Sequence, residues 1–248
     1  MKVKTCLLFV SALALLTLMF YSGHQLWDIH QNNVQEAQMH RALMQYRPPV
    51  GADLDEIPMR DVNQSIVDLQ ILHPDTVGWL SVPNTRIDYP FVQGGDNAEY
   101  LHLDLDGEWS AAGTLFMDAQ NNRDFSDFHT IIYGHHMQNG SMFGTLQHFN
   151  DQTFFAENPT GIIVLADKVY QIEWMAFAVI RPDDAIIFNP TIETDKDKLI
   201  FLEHVSDVAR HYRDLGVNED DHMVSLSSCN YEFPDARMVL IGKLLVEE

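Results

Sequence analysis

From Val77 onward the chain is a succession of short runs rich in β-branched and aromatic residues. They are Val77–Val82, Arg86–Val92, Thr114–Met117, Thr130–Tyr133, Gly161–Leu165, Tyr170–Ile180, Met223–Ser228 and Met238–Val246. Gly, Pro, Asn and Asp punctuate them. Short apolar runs bounded by turn formers read as strands, and about eight of them in series predict a mainly-β closed barrel or sandwich. One helix interrupts the series over 194–215. Thr194 can cap it, Asp195 and Asp197 favour its positive end, and Gly216 sits where a C-terminal cap belongs. Ahead of the strands, residues 24–46 read as a helix stopped by Pro48 and Pro49, and residues 50–60 as a linker. Ile66, Leu69 and Leu72 have helical spacing up to Pro74.

The N-terminus has a different character. Lys2 and Lys4 precede an apolar run from Cys6 to Tyr21, broken only by Ser11 and Thr17. At about 16–18 residues the run is short for a membrane span of roughly 20, yet long for the core of a cleaved signal. Ser22-Gly23-His24 is a poor cleavage site, which favours an uncleaved anchor over residues 1–23. The lysines then stay inside, and the rest of the chain lies outside a single-pass cell-membrane anchor. This divides the chain into an anchor (1–23), a juxtamembrane helix and linker (24–60) and a catalytic domain (61–248). The net charge of −21 repels phosphate backbones and argues against nucleic acid as a partner.

Of the two cysteines, Cys6 falls in the apolar run, which leaves Cys229 as the exported thiol. Ser225-Leu226-Ser227-Ser228-Cys229 looks like a strand delivering a cysteine to a sheet end. That thiol is either a buried bystander or a nucleophile, and a nucleophile needs a base or a positive field nearby. His135 and His136 follow a strand and Gly134, where a substrate could approach. Arg237 opens the last strand eight residues after Cys229, so a hairpin would return it to the cysteine. Taken singly, the histidines could be surface loop residues, and Arg237 could be an ordinary ion-pair partner of Asp235 or Glu232. A zinc site drawn from His129, His135, His136 and His148 matches no common ligand spacing.

Taken in order, the motifs resemble the sortases, and among them class B, across roughly residues 60–246. The resemblance rests on His73-Pro74-Asp75-Thr76-Val77-Gly78-Trp79, Ile87-Asp88-Tyr89-Pro90-Phe91-Val92-Gln93 and Asp96-Asn97-x-x-Tyr100-Leu101. It continues through Gly113-Thr114-Leu115-Phe116-Met117-Asp118, Ile132-Tyr133-Gly134-His135-His136-Met137 and Gly140-Ser141-Met142-Phe143-Gly144. The cysteine motif and Arg237 complete it. The family pattern Thr-Leu-x-Thr-Cys carries serines here, at Ser225 and Ser228.

The resemblance implies an eight-stranded sortase barrel with N-terminal helices and a long helix between the sixth and seventh strands. It implies Cys229, His135 and Arg237 as the catalytic residues, with Leu226, Ser227, Ser228, Tyr133 and Met142 against the substrate. The implied partners are sorting-signal-bearing surface proteins or pilins of Gram-positive bacteria. The implied acceptor is an amine of a peptidoglycan precursor or a pilin lysine. The chemistry calls for no metal or organic cofactor. Three competing classes remain: another exported cell-wall cysteine transpeptidase, whose Gly-Cys-x-Arg run the chain lacks, a membrane-tethered binding module with no enzymatic role, and the weak zinc site.

Overall fold

A computed structural model describes residues 2–49, 59–229 and 235–246. Residues up to Ala42 form one unit and residues from Leu43 another. The first is a single helix, α1 (Lys2–Leu43), followed by a 3-10 turn over Met44–Tyr46. The apolar run and the helix expected over 24–46 are therefore one continuous element. The side chains of Leu7–Val10, Leu13, Leu15, Leu16 and Leu18–Tyr21 are all exposed along it. Most of the expected linker, residues 50–58, lies outside the described residues.

The second unit contains α2 (Met59–Leu72), β1 (Thr76–Ser81), β2 (Asp88–Val92), β3 (Leu115–Met117), β4 (His129–Tyr133), α3 (Gln152–Glu157), β5 (Thr160–Leu165) and β6 (Val169–Ile180). It ends with α4 (Asp195–Val208), β7 (His211–Tyr212), β8 (His222–Cys229) and β9 (Arg237–Val246). The strands run in the order β5-β1-β2-β3-β4-β8-β9-β6, and β5 pairs with β6 to close an eight-stranded barrel. β7 is a two-residue addition to β6. Pairings β2–β3 and β4–β8 are parallel.

Both faces of several strands are buried, which explains why the sequence runs look continuous rather than strictly alternating. On β8 and β9, Val224, Leu226, Met238 and Leu240 fill the barrel with Phe91, Leu115, Ile132 and Trp174. Their neighbours Met223, Val239 and Ile241 point outward beneath Phe201 and Val205 of α4. On the other side, Ile66 and Leu69 of α2 cover Trp79, Val164 and Val169.

α4 is shorter than the sequence predicts. The Thr194 side chain accepts from Asp197 N as expected, but the helix ends with Ala209 as its C-cap, and Gly216 (φ +60°) lies well beyond. Residues 209–213 leave the helix because β6 offers them an edge. Arg210 N donates to Phe177 O (2.8 Å) and Arg213 N to Met175 O (2.7 Å). The Arg213 guanidinium secures the return by donating to the carbonyls of Trp174 and Phe155.

Candidate active site

Three adjacent strands, β4, β8 and β9, bring the sequence candidates together at one end of the barrel. In the β8–β9 ladder Cys229 is the register partner of Arg237, so the expected hairpin return is present. The side chain of Cys229 lies outside the described residues. On the other flank β4 runs parallel to β8 with Tyr133 opposite Ser227, and Gly134 N extends the pairing to Ser227 O (3.1 Å).

Gly134 is required by close packing. A Cβ there would overlap Leu115 Cδ2 and lie 2.8 Å from Phe143 Cδ2. Phe143 is fully buried, so the chain can pass over this ring only without a side chain. Beyond it, Phe143 N donates to His135 O (3.0 Å), and His136 bridges to Met142. The backbone that carries the histidine is thereby tied down on both sides.

The His135 ring is held by the last residue of the 3-10 turn Glu99–Leu101 and by the residue that follows it. Its Nε2 lies 2.7 Å from Leu101 O, and His102 stacks on the ring at 5.4 Å with an interplanar angle of 25°. A carbonyl can only accept, so Nε2 carries the proton and Nδ1 keeps the lone pair. Burial pushes the His135 pKa down and the neighbouring His102 adds to this, while the Leu101 hydrogen bond opposes it. Burial also lowers His136.

A cleft of about 300 Å³ is lined by Asn97, Leu101, Phe116, Tyr133, Gly134, His135, Ser227, Ser228 and Arg237. Of the sequence candidates, His135, Arg237, Ser227, Ser228 and Tyr133 therefore share one cleft. Leu226 is fully buried in the barrel core, and Met142 is 6% exposed, at φ +48° beneath the loop after His135. Arg237 Nη1 donates to the carbonyls of Asp235 (3.1 Å) and Ala236 (3.3 Å). Asn97, Leu101 and Phe116 were not singled out from the sequence as site residues. The signal available there was their place in the Asp96–Leu101 and Gly113–Asp118 runs.

His129 does not join this cleft. It is buried between Ser225 Oγ (2.7 Å from Nε2) and Asn189 O (3.1 Å from Nδ1), against the ring of Phe201. Burial lowers its pKa to about 4. Among the described residues no group of three or more His, Cys, Asp or Glu side chains is placed to hold a metal ion.

Comparison with known proteins decides the family. The sortase-domain family model matches residues 80–245. The chain belongs to the sortase family. It is 32% identical to sortase B of Listeria monocytogenes over 250 residues, covering 100% of both chains. A mutant form of Clostridium perfringens sortase B superposes with a TM-score of 0.77 at 27% identity, covering 84% of this chain and 98% of that one. A Streptococcus pyogenes class B sortase involved in pilus biogenesis superposes with a TM-score of 0.67 at 33% identity, covering 72% and 97%. The protein is a class B sortase, a cysteine transpeptidase of the cell wall.

Proposed function

We propose that this sortase is anchored in the membrane by its N-terminal helix and transfers sorting-signal-bearing proteins to an amine through a thioester on Cys229. The observation that carries this reading is the register of β4, β8 and β9, which sets Cys229 opposite Arg237 and next to Ser228, two residues that share one cleft with the His135 ring.

In this mechanism the Cys229 thiol gives its proton to Nδ1 of His135, the nitrogen that Leu101 leaves unprotonated. The sulfur attacks the carbonyl that follows the threonine of the sorting motif. Arg237 supplies fixed positive charge for the tetrahedral oxyanion. The C–N bond breaks, and the His135 imidazolium protonates the leaving amine, which leaves a thioester and a neutral imidazole. The incoming amine attacks the thioester carbonyl and loses its proton to His135; the C–S bond breaks, and His135 returns that proton to the departing sulfur.

The helix α1 supports the anchor, because it contains a segment long and apolar enough to cross a membrane with its apolar side chains exposed. An N-terminus held in the cytoplasm by Lys2 and Lys4 would leave the catalytic domain outside the cell. The acceptor is an amine of a peptidoglycan precursor or a pilin lysine. The pilus role of the Streptococcus pyogenes relative keeps the second in view.

The test is incubation of residues 24–248 with a library of sorting-motif peptides, followed by mass spectrometry of the intact protein. Cleavage with an acyl adduct on Cys229 is expected. Peptide cleavage that persists in Cys229→Ala would overturn the assignment.

A further inference from the structure

Asp118, at the end of β3, is a carboxylate only 2% exposed. Its acceptors are taken up by three neutral donors. Oδ2 receives Asn97 Nδ2 at 2.8 Å and the Tyr133 hydroxyl at 3.0 Å, and Oδ1 receives Gln120 N at 3.0 Å. Its own backbone is fixed, since Asp118 N donates to Ile131 O (2.9 Å) and Gln93 Nε2 donates to Asp118 O (2.8 Å). Two of the side chains it holds, Asn97 and Tyr133, line the cleft, whereas Asp118 does not. Burial, with the charge and hydrogen bond of Asp118, raises the Tyr133 pKa, so the phenol stays a donor.

The consequence is clearest at Asn97. Its Oδ1 accepts from Ala119 N at 2.8 Å, while its Nδ2 faces the carboxylate. A backbone N–H on one side and, on the other, a carboxyl oxygen that also receives the Tyr133 hydroxyl leave the amide a single orientation. A side-chain amide has two N–H donors, and Asp118 takes one of them. The other is uncommitted within this cluster, on a residue that lines the cleft.

We propose that Asp118 is a positioning residue that fixes the Asn97 amide so that the cleft wall offers a hydrogen-bond donor to a carbonyl oxygen of the bound peptide. This rests on the reading of the cleft as the sorting-signal site. Without the carboxylate the amide could turn over and offer an acceptor, which would repel the same carbonyl. Asparagine at 118 keeps the shape but cannot receive all three donors. One of its faces carries an NH2 that must oppose an N–H or O–H.

The experiment is a double-mutant cycle of Asp118→Asn and Asn97→Ala, assayed with the peptide selected from the library. Each single change should raise KM about three- to tenfold, the scale of one lost hydrogen bond, with the loss in kcat/KM carried by KM. The double variant should be no worse than the poorer single one, because both changes remove the same contact. Effects that multiply, or an unchanged KM in Asp118→Asn, would overturn the proposal. A merely structural role would lower the melting temperature and leave KM alone.

The Asn97 side-chain amide resonances of the wild-type protein give a second measurement that needs neither variant folding nor turnover. One of the two amide protons is expected to be shifted downfield and protected from solvent exchange by its hydrogen bond to the carboxylate. Two protons at the shift and exchange rate of an exposed amide would refute the orientation. If the wild-type protein cleaves no sorting peptide, the reading of the site fails, and these resonances still decide what Asp118 does.

Discussion

The contact at Gly134 allows a prediction worked from the structure. Gly134→Ala adds one methyl group that overlaps Leu115 Cδ2 and lies 2.8 Å from the Phe143 ring. The leucine end can swing aside. The ring cannot, because Phe143 is fully buried in the barrel core. Overpacking of this kind costs about 1–3 kcal/mol. For a domain of this size each kcal/mol lowers the melting temperature by about 2–4 °C, so a drop of about 2–12 °C is expected. Turnover should suffer more than stability. His135 is the next residue, and a displacement of about 1 Å can cost roughly a hundredfold. Peptide cleavage should therefore fall tenfold or more in a protein that is still folded. Phe143→Leu removes the obstructing ring edge. On its own it should destabilise, yet combined with Gly134→Ala it should recover part of the lost turnover. The assays are thermal unfolding and steady-state cleavage for the four proteins of the cycle. Unchanged turnover in Gly134→Ala would refute the reasoning, as would a defect that Phe143→Leu leaves untouched.

Other outcomes follow from the same geometry. His135→Ala should damage turnover far more than His136→Ala, and equal losses would mean that the proton-transferring histidine is misplaced. Arg237→Lys should lower turnover at least about tenfold with little change in melting temperature, because an ammonium cannot reproduce a planar fork, and losing an oxyanion donor costs roughly 100–1000-fold. Near-normal turnover would leave Arg237 a bystander. His129 is buried and neutral with a pKa of about 4, against about 6.5 when unfolded. Between these values the unfolded chain binds the extra proton, so stability falls as pH drops. The loss between pH 7 and 5 should be about 2 kcal/mol by denaturant unfolding, and His129→Gln should flatten it. An equal slope in the variant would place the effect elsewhere.

Much of the barrel is legible because turn formers bracket each strand and the core supplies apolar side chains to both faces. The Cys229–Arg237 pairing is also legible, since a hairpin of that length leaves little choice of register. The end of α4 is not. Ala209 and Tyr212 continue the apolar stripe of Leu202 and Val205, and only the free edge of β6, distant in sequence, draws residues 210–213 away. Leu226 alternates with polar neighbours as a strand residue should, but alternation does not say which face meets the cleft. The adjacent Phe116, Asn97 and Asp118 escape a reading by residue type because nothing in a single carboxylate or amide shows what it will be held against.

The order of strands also bears on how the chain must fold. β8 and β9 are the final two strands, and they fill the gap between β4 and β6. Until both are in place, β4 and β6 present unpaired edges able to recruit any passing strand. The β4–β8 pairing joins segments about ninety residues apart in the chain, so it forms against a large loop-closure entropy and is slow. On the proposed assignment of Cys229 as nucleophile, catalytic competence would wait for barrel closure, because the strand that carries the thiol is one of the two that seal the wall.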